Sequence, residues 1–217
     1  MLEFPIRTVS IVTLGCSKNT VDSEVLAGTL ARAGLDLVPT PEGADALVIN
    51  TCGFIEAAKE ESIQTILEAV ELKEQGNVGC VVVAGCLAQR YGEELQRELP
   101  EVDLIVGTEQ YTAIARYLSS DPRYTLVGER VRSTPAHYAY VKISEGCDHP
   151  CSFCAIPIMR GKHRSRPADE IEREVRMLVA SGTREIILIG QDTTYYGYDL
   201  YRKRTIADLL NRLLDIE

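Results

Sequence analysis

Apolar residues in the first 120 positions form short, near-continuous runs, separated by longer stretches where they recur every three or four positions. The runs are residues 9–14, 35–38, 46–49, 78–84 and 104–106, and each reads as a buried strand. Four amphipathic stretches lie between and after them. Residues 20–33 open on the capping types Asn19 and Thr20 and stop at Gly34. Residues 56–75 are closed by Gly76, residues 88–98 end before Pro100, and residues 110–118 follow the last run. Near-continuous apolar strands alternating with helices predict βαβ units and a parallel sheet covered on both faces. Residues 119–138 lose the pattern and hold Pro122, Gly128 and Pro135, so the domain boundary is placed there. A second βα series then begins. A strand over 140–143 leads through a long loop to a helix over 168–181. That helix has Asp169 and Glu170 in its first turn, a stripe of Ile171, Val175, Leu178 and Val179, and Gly182 as its stop. A strand over 185–189, a loop over 190–197 and a helix over 206–214 complete the series. There is no internal repeat and no low-complexity segment.

Composition narrows the class without changing this picture. With 217 residues, 45% of them hydrophobic and 25% charged, the chain suits one large globular domain or two small ones. No stretch approaches the roughly 18 apolar residues that a membrane span requires, so no membrane is expected. The first apolar run is short and lacks a small-residue cleavage site, so no signal peptide is read. A reducing cytoplasmic setting follows, where cysteines serve as ligands or catalysts more often than as disulfides. There are seven, an odd number that argues against a fully paired framework.

The net charge of −9 is unevenly spread. Residues 1–133 carry 11 Lys and Arg against 20 Asp and Glu, and residues 134–217 carry 12 against 12. The acidic part offers no positive footprint for phosphates, so direct nucleic-acid binding is not supported. One basic segment stands out, Arg160, Lys162, Arg164 and Arg166 with His163 among them. It reads either as a solvated loop or as an anion-facing rim.

The cysteines carry the candidate chemistry. Cys147, Cys151 and Cys154 form a CxxxCxxC run after a strand, and three thiolates this close can converge on one metal centre. Zinc would want a fourth ligand, and His149 lies inside the run. A four-iron cluster held by three cysteines would leave one iron open to a substrate or cofactor. Cys16, Cys52 and Cys86 follow the first, third and fourth strands, 36 and 34 residues apart. In a flavodoxin-like strand order 2-1-3-4-5 those strands are neighbours, and the spacing predicts a second three-cysteine centre at the carboxyl edge of the sheet. Cys80, at the start of the fourth strand, reads as a small buried hydrophobe. Ser17-Lys18-Asn19, Asn50-Thr51 and Gln89-Arg90 read either as donors to cluster sulfurs or as helix caps and loop polarity.

The segment Cys147-Asp148-His149-Pro150-Cys151-Ser152-Phe153-Cys154 resembles the signature of radical S-adenosylmethionine enzymes. The resemblance implies a [4Fe-4S] cluster whose open iron chelates the cofactor's amino and carboxylate groups. One-electron reduction would then cleave the cofactor to a deoxyadenosyl radical. A three-cysteine α/β domain ahead of it resembles the methylthiotransferases in particular. Residues 14–24 (Leu-Gly-Cys-Ser-Lys-Asn-Thr-Val-Asp-Ser-Glu), 50–55 (Asn-Thr-Cys-Gly-Phe-Ile) and 84–89 (Ala-Gly-Cys-Leu-Ala-Gln) look like its three motifs. The likeness runs over essentially the whole chain.

Within that group, the tRNA-adenosine enzymes usually read Gly-Cys-Gln-Met-Asn where this chain has Gly15-Cys16-Ser17-Lys18-Asn19. Residues 53–60, 154–157 and 190–197 also look like the type (RimO type) acting on an aspartate of the twelfth small-subunit ribosomal protein. The implied fold is a flavodoxin-like doubly wound parallel sheet over 1–120 and a linker over 121–138. The first two βα units of a radical-SAM partial TIM barrel follow over 139–217. The implied reaction replaces a β-carbon hydrogen of the target aspartate with a methylthio group.

Two [4Fe-4S] clusters and S-adenosylmethionine are the implied cofactors. Cys147, Cys151 and Cys154 would hold the radical-generating cluster, and Cys16, Cys52 and Cys86 an auxiliary one. Phe153 would pack beside the adenine, with a core aromatic as its other reading. Gly190 and Gln191, at the carboxyl end of the second barrel strand, would touch the cofactor. Partners would be the ribosomal protein or ribosome and a reductant such as flavodoxin or ferredoxin. The tRNA-modifying enzyme and a non-catalytic zinc or iron–sulfur module remain the alternatives. The family implies more barrel units and a C-terminal β-barrel domain, so the chain reads as a fragment that would be inactive alone.

Overall fold

A computed structural model of the chain describes residues 5–119 and 130–216. It divides into two compact units, residues 1–132 and 133–217. Residues 121–129 of the expected linker, Pro122 and Gly128 among them, lie outside the described residues.

The first unit alternates β1 (Thr8–Thr13), α1 (Ser17–Arg32), β2 (Asp36–Leu37), β3 (Ala46–Thr51), α2 (Glu56–Glu74), β4 (Cys80–Gly85), α3 (Cys86–Glu98), β5 (Leu104–Ile105) and α4 (Tyr111–Leu118). The five strands are parallel in the order β2-β1-β3-β4-β5, the doubly wound order expected from the sequence. The unbroken apolar runs reflect burial on both faces. Val48, Cys80 and Val82 pack with Leu26 and Leu30 of α1 and Ile114 and Leu118 of α4. Leu47, Ile49, Val81 and Val83 alternate to the other face, against Ile66 and Val70 of α2 and Leu87 and Leu95 of α3.

Two helices begin earlier than the sequence pattern suggests. Helix α1 starts at Ser17 with Cys16 as its N-cap, so Asn19 and Thr20 are not caps. Gly15, at φ +94°, turns the chain out of the strand, which lets the helix begin three residues early. Helix α3 starts at Cys86, two residues early, because Gly85 makes the same kind of turn at φ +96°. Cys80 is fully buried, as expected. Burial, reinforced by the nearby charge of Asp103, pushes its thiol pKa up to about 12.

The second unit holds β6 (Tyr138–Lys142), β7 (Ser144–Glu145), α5 (Ile156–Arg160), β8 (Arg164–Ser165), α6 (Ala168–Ala180), β9 (Glu185–Ile189), α7 (Tyr198–Tyr201) and α8 (Ile206–Leu214). Strands β6 and β9 pair in parallel, a right arrangement for two βα units of a barrel wall. Ala139, Val141 and Ile143 pack with Ile171, Val175 and Leu178 of α6, Tyr196 and Leu209. The expected long loop after β6 is not featureless: β7 and β8 pair antiparallel within it and α5 lies between them. Among the described residues no helix is long and apolar enough to cross a membrane.

Candidate metal and cofactor sites

In the first unit, Thr13 pairs with Asn50, Asn50 with Ala84, and Thr51 with Gly85, so β1, β3 and β4 end at one edge. Cys16 stands three residues past β1, Cys52 directly past β3, and Cys86 opens α3. Helix N-termini favour negative charge, a suitable setting for thiolate ligands at Cys16 and Cys86.

Glycines beside each cysteine let the three loops close on one another. A Cβ on Gly15 would lie 2.7 Å from Cβ and 3.0 Å from Sγ of Cys52. A Cβ on Gly53 would lie 2.9 Å from Leu87 Cα, and one on Gly85 would collide with the Asn50 side chain. No other residue type fits these approaches.

Asn19, fully buried, ties the loops together. Its Nδ2 donates to Leu14 O at 2.7 Å and Thr51 O at 3.0 Å. Its Oδ1 lies 4.0 Å from Cys16 Sγ and 3.9 Å from Cys86 Sγ, so two of the three thiols share one acceptor. Asn50 Nδ2 donates to Asn19 O and Ser23 Oγ, and Thr51 Oγ1 to Ala84 O. Ser62 brackets Cys52 by accepting from its N–H and donating to its carbonyl. Arg90 donates to Gly53 O, whereas Gln89 accepts from Thr108 N. Asn19, of the polar runs, reaches sulfur. Ser62 was not legible, because a lone helical serine gives no sequence signal.

In the second unit Gly146, at φ +72°, turns the chain out of β7 where a Cβ would collide with the carbonyls of Gly161 and Lys162. Cys147 N donates to Gly161 O and Cys154 N to Cys151 O, and residues 146–150 carry no regular structure. Cys151 is exposed, Cys147 and Cys154 half-buried. Phe153 is 91% exposed, so it is not a core aromatic.

His149, the possible fourth zinc ligand, places Nε2 2.8 Å from Asp192 Oδ2 and its ring against Tyr195. Hydrogen bonds from the Thr194 hydroxyl and from His149 hold the Asp192 carboxyl down at about 2. The basic segment is divided: part of it is turned inward and part remains at the surface. Arg160 and His163 are buried, Arg166 pairs with Glu174 and donates to Lys142 O, and Lys162 and Arg164 are exposed.

Gly190 and Gln191 follow β9 directly, at the carboxyl end of the strand pair. Gln191 Nε2 donates to Glu145 Oε1 at 2.9 Å. Glu145 is buried and pairs through Oε2 with Lys142 at 2.7 Å and Arg160 at 3.4 Å. Glu145 drew no notice in the sequence, since a single glutamate before a glycine resembles any loop residue.

Among the described residues, no three His, Cys, Asp or Glu side chains stand at metal-holding distance as placed. The donor types and their neighbourhoods nevertheless fit iron–sulfur ligation, with two thiols facing Asn19, a third at the same sheet edge, and three in one eight-residue segment.

Two family models match the chain: "Uncharacterized protein family UPF0004" over residues 8–107 and the "Radical SAM superfamily" over 141–216. A ribosomal protein uS12 methylthiotransferase RimO from Cytophaga hutchinsonii is 51% identical over 96% of this chain and 48% of its own length. Those from Christiangramia forsetii and Aquifex aeolicus are 52% and 50% identical, each over 96% of this chain and 46% and 47% of their own length. The chain thus spans about half the length of the curated relatives it matches. Two solved structures share its fold at low identity. The cobalamin-dependent radical enzyme OxsB, with aqua-cobalamin and S-adenosylmethionine bound, matches with a TM-score of 0.54 at 15% identity, over 98% of this chain and 37% of its own. The methyltransferase TsrM from Kitasatospora setae, with cobalamin and a [4Fe-4S] cluster bound, gives 0.57 at 12%, over 95% and 52%.

Proposed function

We propose, for a chain that belongs by sequence to the radical S-adenosylmethionine methylthiotransferases of RimO type, that it carries both iron–sulfur sites of such an enzyme. The substrate is an aspartate of the ribosomal protein for which the relatives are named, and the product carries a methylthio group on its β-carbon. That naming favours the ribosomal protein over tRNA. Cys147, Cys151 and Cys154 hold one [4Fe-4S] cluster, and Cys16, Cys52 and Cys86 hold the other. S-adenosylmethionine binds beside the first, in reach of Phe153, Gly190 and Gln191. When bound, cluster and cofactor supply the one-electron chemistry needed to break an unactivated C–H bond, which acid–base side chains cannot do.

The chain's own residues bind and orient. Asn19 spaces two thiols of the first unit about one acceptor, and the glycine-tight loops hold the third beside them. His149 Nε2 faces Asp192, and the CxxxCxxC thiols supply a three-ligand set of the kind that keeps one iron open. The exposed Phe153 stands ready to cover a flat ring. A flavodoxin- or ferredoxin-type donor and a cytoplasmic setting complete the reading.

The observation that carries the proposal is the gathering of Cys16, Cys52 and Cys86 at one sheet edge, in a chain whose second unit holds the CxxxCxxC loop. Iron and acid-labile sulfide on anaerobically reconstituted protein test it. About eight irons per chain are expected for two four-iron clusters. Replacing Cys16, Cys52 and Cys86 together by Ala should halve that number, and replacing Cys147, Cys151 and Cys154 should remove the other half. Stoichiometric zinc, or loss of all iron from either triple variant, overturns the partition.

A further inference from the structure

Glu145 is a carboxylate in the interior of the second unit, 5% exposed, at the carboxyl end of its strand pair. One oxygen faces Lys142 and Arg160, and the other accepts from Gln191 Nε2 at 2.9 Å and Gly146 N at 3.3 Å. An ionised carboxylate accepts hydrogen bonds and cannot donate them. It therefore decides which end of the Gln191 amide turns toward it, the NH2 end. The other end is left as a consequence: Gln191 Oε1 is buried without a hydrogen-bond partner among the described residues. Ser144 Oγ shares that condition, in a residue with no exposed surface. It lies against Gly190, where a Cβ would stand 2.8 Å from it.

An unpartnered buried polar atom costs about 1–3 kcal/mol, and folded proteins seldom carry one without use. Turning the amide over would not relieve the cost, because it would set carbonyl oxygen against carboxylate oxygen. The acceptor is therefore held open by its neighbour. It is held open at the carboxyl ends of parallel strands, where barrels seat their ligands.

We propose that Glu145 is a positioning residue that fixes the Gln191 amide with Oε1 presented as an acceptor for an N–H donor of the bound ligand. This rests on the reading of the second unit as an S-adenosylmethionine site, and the donor in that case is the cofactor's amino group. The competing role is structural: Glu145 would merely neutralise Lys142 and Arg160, and Gln191 would be a bystander.

The test is equilibrium binding to the anaerobically reconstituted protein of two ligands, S-adenosylmethionine and 5′-methylthioadenosine, which lacks the amino-acid portion. Glu145→Gln, which frees the Gln191 amide to rotate, should weaken S-adenosylmethionine about tenfold, the worth of one hydrogen bond. Methylthioadenosine should bind within twofold of the parent, and iron content should not change. Removing one charge from a buried cluster risks misfolding, so the exchange Glu145→Gln with Gln191→Glu is made alongside. There an amide again faces a carboxylate and an acceptor again points outward, and S-adenosylmethionine binding should return to within threefold of the parent. Equal weakening of both ligands in the single variant overturns the proposal. So does an exchange variant with full iron content that binds methylthioadenosine but not S-adenosylmethionine. A parent protein that holds iron yet binds neither ligand defeats the functional reading itself, and this inference with it.

Discussion

The two proposed cysteine sites draw the same donor set from opposite kinds of sequence. Cys147, Cys151 and Cys154 come from one contiguous segment whose tip is open, with Cys151 and Phe153 exposed. Cys16, Cys52 and Cys86 come from three separate strand ends, and the sheet must form before they share one edge. The first kind of site is specified locally and tolerates a mobile approach by a cofactor. The second is specified by topology, and its precision is borrowed from packed glycines and a buried asparagine. Disturbing the frame should therefore damage the first-unit site far more than equivalent changes damage the loop in the second.

The strongest test of that difference is Gly85→Ala. Gly85 has φ +96° and ψ −156°, a backbone region open essentially to glycine, and its added methyl would meet Asn50. A loss of about 3 kcal/mol and of one cluster's iron is expected. Gly182→Ala shares a positive φ, +94°, but finds open space, so about 1 kcal/mol and intact iron are expected. Thermal unfolding and iron content of the two variants decide it; equal losses would mean that conformation, not close approach, dominates.

Asn19→Ala comes next. It removes two hydrogen bonds to buried carbonyls and the acceptor shared by Cys16 and Cys86. About 2 kcal/mol of stability should go, with partial loss of first-unit iron. His149→Ala breaks a half-exposed ion pair and a ring contact with Tyr195 in the second unit and should cost about 1 kcal/mol. Comparable effects of the two would erase the distinction between a framed site and an open one.

Among the described residues the sequence pattern located every strand to within a few residues except the short pair β7 and β8, and the flavodoxin-like order 2-1-3-4-5 assumed for the first unit is the one observed. The reason is that both faces of the sheet are buried, and burial writes itself as unbroken Val, Ile and Leu. What stayed illegible was polar and inside. Glu145, Ser62 and the inward-turned Arg160 look like surface residues in a sequence, since their partners lie 10 or more positions away or on other elements. The early start of α1 was hidden for a related reason. Asn19 has the residue type of a cap, and only the fold shows that its amide is spent on Leu14 and Thr51.

A smaller effect depends on pH. Asp192, held down at about 2 by Thr194 and His149, has an ordinary value of 3.8 when unfolded. A carboxylate lowered on folding contributes stability that is present above about pH 4 and is lost as the pH falls through 2. The group is partly exposed, so the contribution is of order 1 kcal/mol. Acid titration of unfolding in the metal-free protein should show this slope, and Asp192→Asn should reduce it, leaving the share of the other lowered carboxyls, Asp45, Glu172 and Asp199.

Cys80 gives the finest discrimination, because it is the one cysteine that belongs to neither site. It sits at the start of β4, at the opposite end of that strand from Cys86, among Val82, Leu30 and Leu118. With its thiol pushed up to about 12 by burial, it holds almost no thiolate at pH 8. Iodoacetamide at that pH should spare Cys80 in the folded, metal-free protein, and mass mapping after denaturation should find it unlabelled. Cys80→Ala should leave iron content unchanged and cost about 1 kcal/mol for the small cavity it opens in the sheet. If that variant instead lost iron, the division of seven cysteines into three, three and one would fail. The first-unit site would then reach through the sheet rather than lie along its edge.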